Sequence, residues 1–567
     1  MILMRTLFVS ALMTAALFST AAQDAPADLI FHHATIYTAD DRLPRAEAIA
    51  IRGDRIAAVG PLPDVVRLKG PSTRMVDVGG ATIVPGLHDS HGHFVALGAS
   101  RQTLDLRGTT SYEQIVARVR RRTADVPRGL WIVGRSWDQN DWSDKRWPTH
   151  DRLSAAAPDN PVYLTRVDGH AALVNRKAME AAALTRATAD PDGGRIIRDE
   201  TGAPTGVLID RAQDIVSERI PPVGRAELEE QIRLADRETR ALGLTMVHDA
   251  GTDGATVEVY KRLIDSGMLQ TRLYVMLRGS MAMLKPHFAT GPITSYGNYH
   301  LAVRAIKIAA DGALGSRGAA LIEPYSDEPG TRGLLTTPPE EVYAETLAAS
   351  KAGFQTCIHA IGDRANRMTM DVFERVQKEV PGARELRMRN EHAQIQDAAD
   401  IPRFARLNVI ASMQATHATS DMPWVSARIG PERAAEGAYV WQKLLKSGAI
   451  VANGSDFPVE EPNPMLGFYA AVTRQDPSGH PPGGWMPDQR MSREEALKSF
   501  TIAAAFAAHA ERDLGSLTPG KLADMVVLSK DVMQVPPREI LTTTVITTII
   551  GGQTVYERGK LQKASGR

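Results

Sequence analysis

The chain has 567 residues, with 66 Lys plus Arg balancing 66 Asp plus Glu. Zero formal net charge and the lack of a long basic run exclude the usual electrostatic signature of a nucleic-acid binder. The length is more than one compact core or a bare (β/α)8 barrel needs, so extra domains or insertions are expected.

In chain order, Arg5, an apolar run from Thr6 to Phe18 and the small residues Ser19-Thr20-Ala21-Ala22 read as an export signal over residues 1–22. Cleavage is expected near Gln23, giving a periplasmic or secreted mature chain without membrane attachment. The run is shorter than the ~20 residues of a spanning helix. Residues 23–84 read as short strands: Ile30–Tyr37, Ala48–Ile51, Arg55–Val59 and Met75–Val78. Residues 511–567 hold three more, Asp524–Leu528, Val545–Ile550 and Thr554–Glu557, with Gly551-Gly552 as a hairpin turn. Both ends are therefore β-rich.

Residues 85–510 alternate apolar runs with helical patterns, as in an α/β fold with a parallel sheet. Eight runs read as strands: Ile83–Leu87, Thr245–His248, Leu273–Leu277, Ala305–Ala309, Gln355–Ile358, Leu386–Arg389, Val409–Met413 and Ile450–Asn453. Eight is enough to close a (β/α)8 barrel. Residues 99–235 are left as a large insertion after the first strand. It carries Trp131, Trp137, Trp142 and Trp147, which read either as the core of an inserted subdomain or as an apolar lid. On the lid reading Trp137, Asp168 and His170 are substrate contacts. Cys357 is the only cysteine, so no intramolecular disulfide forms, and it reads as a buried small residue.

The chemistry centres on Pro85-Gly86-Leu87-His88-Asp89-Ser90-His91-Gly92-His93. In an extended segment His91 and His93 lie on one side of the chain and can hold a divalent metal together. Lys307, His359, His392 and Asp456 each sit within or near the end of a strand-like run. Lys307, flanked by Ile306 and Ile308, reads as a buried amine with a depressed pKa, paired with Asp311 or Glu391 unless it is modified.

The fragments PGLHDSHGH, IKIAADGALGSRGA, CIHAIGDRA, RNEHAQ, NGSDFPVE and GSLTPGKLADMVVL resemble the amidohydrolase superfamily, and most closely its YtcJ-like branch, amidohydrolase family 3. The resemblance runs from about Asp28 to Gly559. It implies a TIM barrel beside a small β-sandwich built from both chain ends. It also implies two divalent metals, with His91, His93, Lys307, His359, His392 and Asp456 as ligands and a carbamate on Lys307 as the bridge. Zinc is the default metal; iron, manganese or cobalt are compatible. The expected reaction is hydrolysis of a non-peptide C–N bond in a small molecule by metal-activated hydroxide, with Asp456 as proton carrier and His417 facing the substrate. Ala415 stands where the family often has proline. Asp363 and Glu391 are expected to hold imidazole tautomers, and Arg317 to meet a substrate anion or Asp311. Hydrolysis of an ester, lactone or carbamate, or a metal-dependent isomerase or lyase reaction, are the alternatives. A homo-oligomer is left open.

Overall fold

A computed structural model describes residues 25–559 of the chain. The export signal expected over residues 1–22 lies outside them.

The central sheet is a nearly closed barrel of eight parallel strands. They are Leu87–Gly92, Leu244–Thr252, Arg272–Leu277, Leu301–Ala309, Gln355–Ala360, Arg389–His392, Ile410–Gln414 and Val451–Gly454. All eight expected runs overlap these strands, the first only at Leu87 and the sixth only at Arg389, because Leu386 ends a 3-10 turn, Ala383–Leu386. The first run needs correction. Thr82–Pro85 is not the first barrel strand. It pairs antiparallel with Met525–Leu528 and parallel with Thr35–Tyr37 in a sheet at the barrel's side. The chain changes sheets at Pro85-Gly86, where proline has no N–H to give a ladder. A Cβ on Gly86 would lie 2.2 Å from Thr245 Oγ1. Barrel strand one therefore starts at Leu87 and carries His91 within it.

The last strand meets the first through the Asp456 N–H donating to His91 O, and the His93 N–H donating to Phe457 O, each at 2.7 Å. Gly454 allows this approach: a Cβ there would lie 2.6 Å from both Asp89 Oδ1 and His91 N. Met246, Tyr274, Met276, Ala305 and Cys357 fill the interior beneath the mouth. Ile306 and Ile308 join the larger core around the barrel, as alternation requires.

Both chain ends build the β-sandwich. One sheet runs Arg55–Gly60, Ala48–Arg52, Ala27–His32, Lys69–Asp77; the other runs Gln553–Glu557, Val545–Ile550, Met525–Leu528, Thr82–Pro85, Thr35–Tyr37, Arg45–Ala46. Leu29, Phe31, Ile49 and Ile51 of the first pack on Ile36, Ile83, Met525 and Ile549 of the second. The expected single strand Ile30–Tyr37 is broken at His33, whose φ is 52°, so its halves enter different sheets. The Gly551-Gly552 turn forms as read, with φ of 54° and 74° between paired Ile550 and Gln553.

The insertion after strand one is a six-stranded mixed sheet between Leu104 and Asp210, with apolar clusters on both faces. Its expected limit at 235 falls inside the helix Arg225–Ala241, which packs on the helix Phe94–Ser100 and belongs to the barrel's outer ring. No helix among the described residues is long and apolar enough to cross a membrane.

Candidate metal centre

The barrel mouth and the inserted sheet enclose one cavity of about 1070 Å³. Its wall includes His91, His93, Lys307, His359, His392, His417 and Asp456 from the barrel, and Asp168 and His170 from the insertion.

Ligand atoms of His91, His93 and Asp456 lie within 4.8 Å of one another, and so do those of His392, His417 and Asp456. Asp456 Oδ1 is 3.2 Å from His93 Nε2 and 3.6 Å from His91 Nε2; Oδ2 is 3.9 Å from His417 Nε2. Lys307 Nζ lies 3.1 Å from His91 Nε2 and has no ion pair with Asp311 or Glu391, contrary to the pairing expected of an unmodified lysine. His359 and His392 stack edge to face with centroids 4.5 Å apart. His359 Nε2, His417 Nε2 and Asp456 Oδ1 are buried without a hydrogen-bond partner among the described residues. Buried polar atoms are seldom left in this state, and facing nitrogen and carboxylate donors fit a divalent metal. The structure thus adds His417 to a ligand-type group with His392 and Asp456, where the sequence reading had made it a substrate contact.

Electrostatics agrees with this donor set. Burial pushes the imidazoles of His91, His359 and His392 well below their ordinary value, so they are neutral, as ligands must be. Burial lowers Lys307 to about 8, against the opposing pull of Glu391 and Asp456. Burial alone would raise the Asp456 carboxyl; His93, His91 and His417 outweigh it and hold it below the usual carboxylate range.

A second layer of hydrogen bonds fixes these side chains. His91 Nδ1 contacts Glu391 Oε2 at very short range, which leaves Nε2 for the cavity. Arg389 donates to both oxygens of Glu391 at 2.7 and 3.0 Å, and also to Ser412 Oγ at 2.9 Å. His392 Nδ1 is 2.8 Å from Gln414 Oε1. Asp89 accepts from the N–H groups of His91 and Ser455, both at 3.1 Å, and from Ser455 Oγ at 2.6 Å. Of these partners only Glu391 was expected. Arg389 could have been found from its spacing of two from Glu391, which puts both on one face of the strand, and Asp89 from its spacing of two from His91. Gln414 carries no such signal.

The remaining expectations divide. Asp311 accepts from the N–H groups of Ala320, Ile361 and Gly362, and its Oδ1 lies 3.6 Å from His359 Nε2, too far for a hydrogen bond. Burial pushes it up to about 7 despite those three donors. His170 sits 4.9 Å, ring to ring, from His359, and its Nδ1 is 2.7 Å from Asp210 Oδ1. Burial opposes its protonation, but Asp210 outweighs burial and holds it above the ordinary value. Asp168 pairs with the buried Arg166 and accepts from the His170 N–H at 3.0 Å.

Three expectations fail. Asp363 touches no histidine; it accepts from the Ile322 N–H at 2.8 Å at the start of helix Asp363–Glu379, tying down the preceding loop. Arg317 meets neither Asp311 nor the cavity, because Asp327 at 3.0 Å and Glu328 at 3.3 Å already hold its guanidinium. Trp137 is fully buried and donates to Leu164 O at 2.8 Å, packed against Trp142 and Trp147 in the insert's core. Trp137→Ala is accordingly expected to cost roughly 3–5 kcal/mol in chemical denaturation. An unchanged unfolding midpoint with altered substrate preference would return this side chain to the pocket.

The model of the Amidohydrolase family matches residues 74–556. Protein LONG AFTER FAR-RED 3 of Arabidopsis thaliana is 35% identical over 94% of this chain and 92% of its own length. Putative amidohydrolase YtcJ of Bacillus subtilis is 32% identical, over 93% and 99%. N-substituted formamide deformylase of Arthrobacter pascens is 28% identical, over 94% and 98%. Among solved structures, an uncharacterized metal-dependent hydrolase from Pyrococcus horikoshii aligns with a TM-score of 0.71 at 29% identity, over 90% of this chain and 99% of that one.

Proposed function

The chain belongs to the amidohydrolase family, a family of metal-dependent hydrolases, and on that premise we propose that it cleaves a non-peptide C–N bond, an amide or N-acyl group, in a small molecule. The observation that carries this reading is the convergence of His91, His93, His392 and His417 on the two oxygens of Asp456, beside the buried Lys307. The relative from Arthrobacter pascens, whose name describes removal of a formyl group from nitrogen, supports the choice of bond.

His91, His93, His359, His392, His417, Lys307 and Asp456 are the groups that would hold the metal, about two zinc ions per chain on this reading. Bound metal lowers the pKa of water and polarises a carbonyl, so that a nucleophile exists at neutral pH. The chain's own residues do the rest. Asp456 takes the proton of the attacking water on its carboxylate and returns it to the leaving nitrogen, which would otherwise depart as an unstable amide anion. Glu391 and Gln414 keep His91 and His392 in the tautomer that presents Nε2 to the cavity. The inserted sheet roofs the site and limits its water.

Chelation should abolish hydrolysis of formamides and aryl amides, and added divalent ions should restore it. Matched amide and ester substrates, with elemental analysis of the same sample, check the reading. Full activity in metal-free protein, or turnover of esters alone, overturns it.

A further inference from the structure

One corner of the cavity, between the inserted sheet and barrel strand one, presents hydrogen-bond donors without matching acceptors. Arg135 lies on the insert strand Ile132–Trp137 and lines the cavity. Its Nε donates to Ser136 Oγ at 3.3 Å; among the described residues no carboxylate lies within 4.0 Å of its guanidinium, and its two terminal amino groups have no acceptor. Leu104–Asp105 pairs parallel with this strand, Arg135 opposite Asp105, and brings two further donors alongside. Thr103 Oγ1 and Arg107 Nε line the same cavity, buried and without a hydrogen-bond partner, with Arg107 Nε 3.7 Å from Asp105 Oδ1.

The neighbouring cations are already matched. Arg107 binds Glu461 through Nη1, and Arg101 binds Glu238. Arg135 is the cation left over in this corner; Arg278, across the cavity at the end of barrel strand three, likewise has no carboxylate within 4.0 Å among the described residues. Burial, aided by the nearby Arg107, lowers the pKa of Arg135 to about 10, a large depression for a guanidinium. A half-buried cation without a counter-ion is costly, and a planar fork of N–H donors is matched by a carboxylate in two parallel hydrogen bonds. A hydroxyl, with its own proton, fits the guanidinium fork of Arg135 less well than an ion that only accepts.

We infer that Arg135, with Thr103 and Arg107 beside it, is a subsite for a carboxylate on the substrate, on the part remote from the bond that is cut. This rests on the hydrolase reading above and deepens it. The substrate class becomes N-acyl compounds that carry a carboxylate, as N-acylated amino acids do. The insertion, rather than the barrel, then selects the substrate.

The test pairs N-formyl or N-acetyl amino acids with their carboxamides, which have the same shape without the charge, on the metal-loaded protein. Wild type should favour the carboxylate members by about tenfold or more in kcat/KM, through KM, the size of a charge-assisted hydrogen bond. Arg135→Gln should bring each pair close to parity at unchanged metal content. Arg278→Gln should keep the preference, since Arg278 lines the same cavity from the end of barrel strand three. Equal rates on both members in wild type, or a preference that survives Arg135→Gln or disappears in Arg278→Gln, overturns the assignment. If no amide is turned over by metal-loaded wild type, the hydrolase reading fails first. Calorimetry with phenylacetate and inorganic phosphate then decides the subsite: phenylacetate binding by wild type that Arg135→Gln abolishes supports it. Tighter binding of phosphate, or phenylacetate binding unchanged in Arg135→Gln, overturns it.

Discussion

Asp456→Asn is expected to lower kcat by about two to four orders of magnitude, the contribution of a positioned proton carrier, at nearly unchanged fold stability. Asp456 sits at φ 58°, in the left-handed region, where asparagine is among the few side chains tolerated as well as aspartate. The substitution keeps the shape and one carbonyl oxygen, and removes the charge and the second acceptor. Its oxygens face His91, His93 and His417, so metal content must be measured in the same preparation. The informative sample is the one that retains metal. A retained-metal variant with kcat within tenfold of wild type would show that another group carries the proton. Asp456→Ala adds backbone strain at this position, and a loss of activity there is not diagnostic.

Lys307→Ala is expected to release part of the bound metal and to lower kcat by at least about a hundredfold, the scale of losing one electrostatic stabiliser at a reacting centre. Lys307 is buried, has no carboxylate partner, and stands 3.1 Å from His91 Nε2. With a pKa near 8 a substantial fraction of the amine is neutral at physiological pH. A neutral amine can add carbon dioxide, forming an N–C bond and losing a proton, to become an anionic carbamate. We propose that this modification is present in the metal-loaded protein, since an ammonium would repel cations held by the surrounding imidazoles. Short carboxylic acids should partly rescue Lys307→Ala, whereas Lys307→Arg should remain inactive because guanidinium stays charged. The measurements are metal per chain and intact mass under bicarbonate. Unmodified lysine in a fully active, fully loaded crystal would refute the carbamate.

Three residues from this centre show what one chain can reveal by itself. His91 and His93 were legible because a spacing of two has a fixed meaning in extended chain, and Lys307 because an ammonium between isoleucines is costly. In each case neighbours in sequence supplied the physics. The eight apolar runs were legible for the same reason, since burying a parallel strand on both faces requires continuous hydrophobicity. Misreadings arose where two elements far apart in sequence compete for one segment. Thr82–Pro85 is as apolar as a barrel strand, and only its partner Met525–Leu528 decides that it belongs to the sandwich.

The side-chain partners show the same division. Arg317 and Asp363 read as site residues, yet Asp327 and Ile322, brought near by loop folding, take up their hydrogen-bonding capacity. Trp137 reads as core or as lid, and what sends it into the insert's interior beside Ile132 is the break in register at Ser136, φ 70°, in the pairing with Val162–Arg166. By itself the sequence determined the barrel strands and the order of the histidines, lysine and aspartate at their ends, because strand periodicity acts over a few residues. The tertiary structure decided which donors converge, that His417 stands with His392 and Asp456, and that Arg135 faces the cavity unpaired. Hydrogen bonds and ion pairs are satisfied across distances in space that bear no relation to distance along the chain.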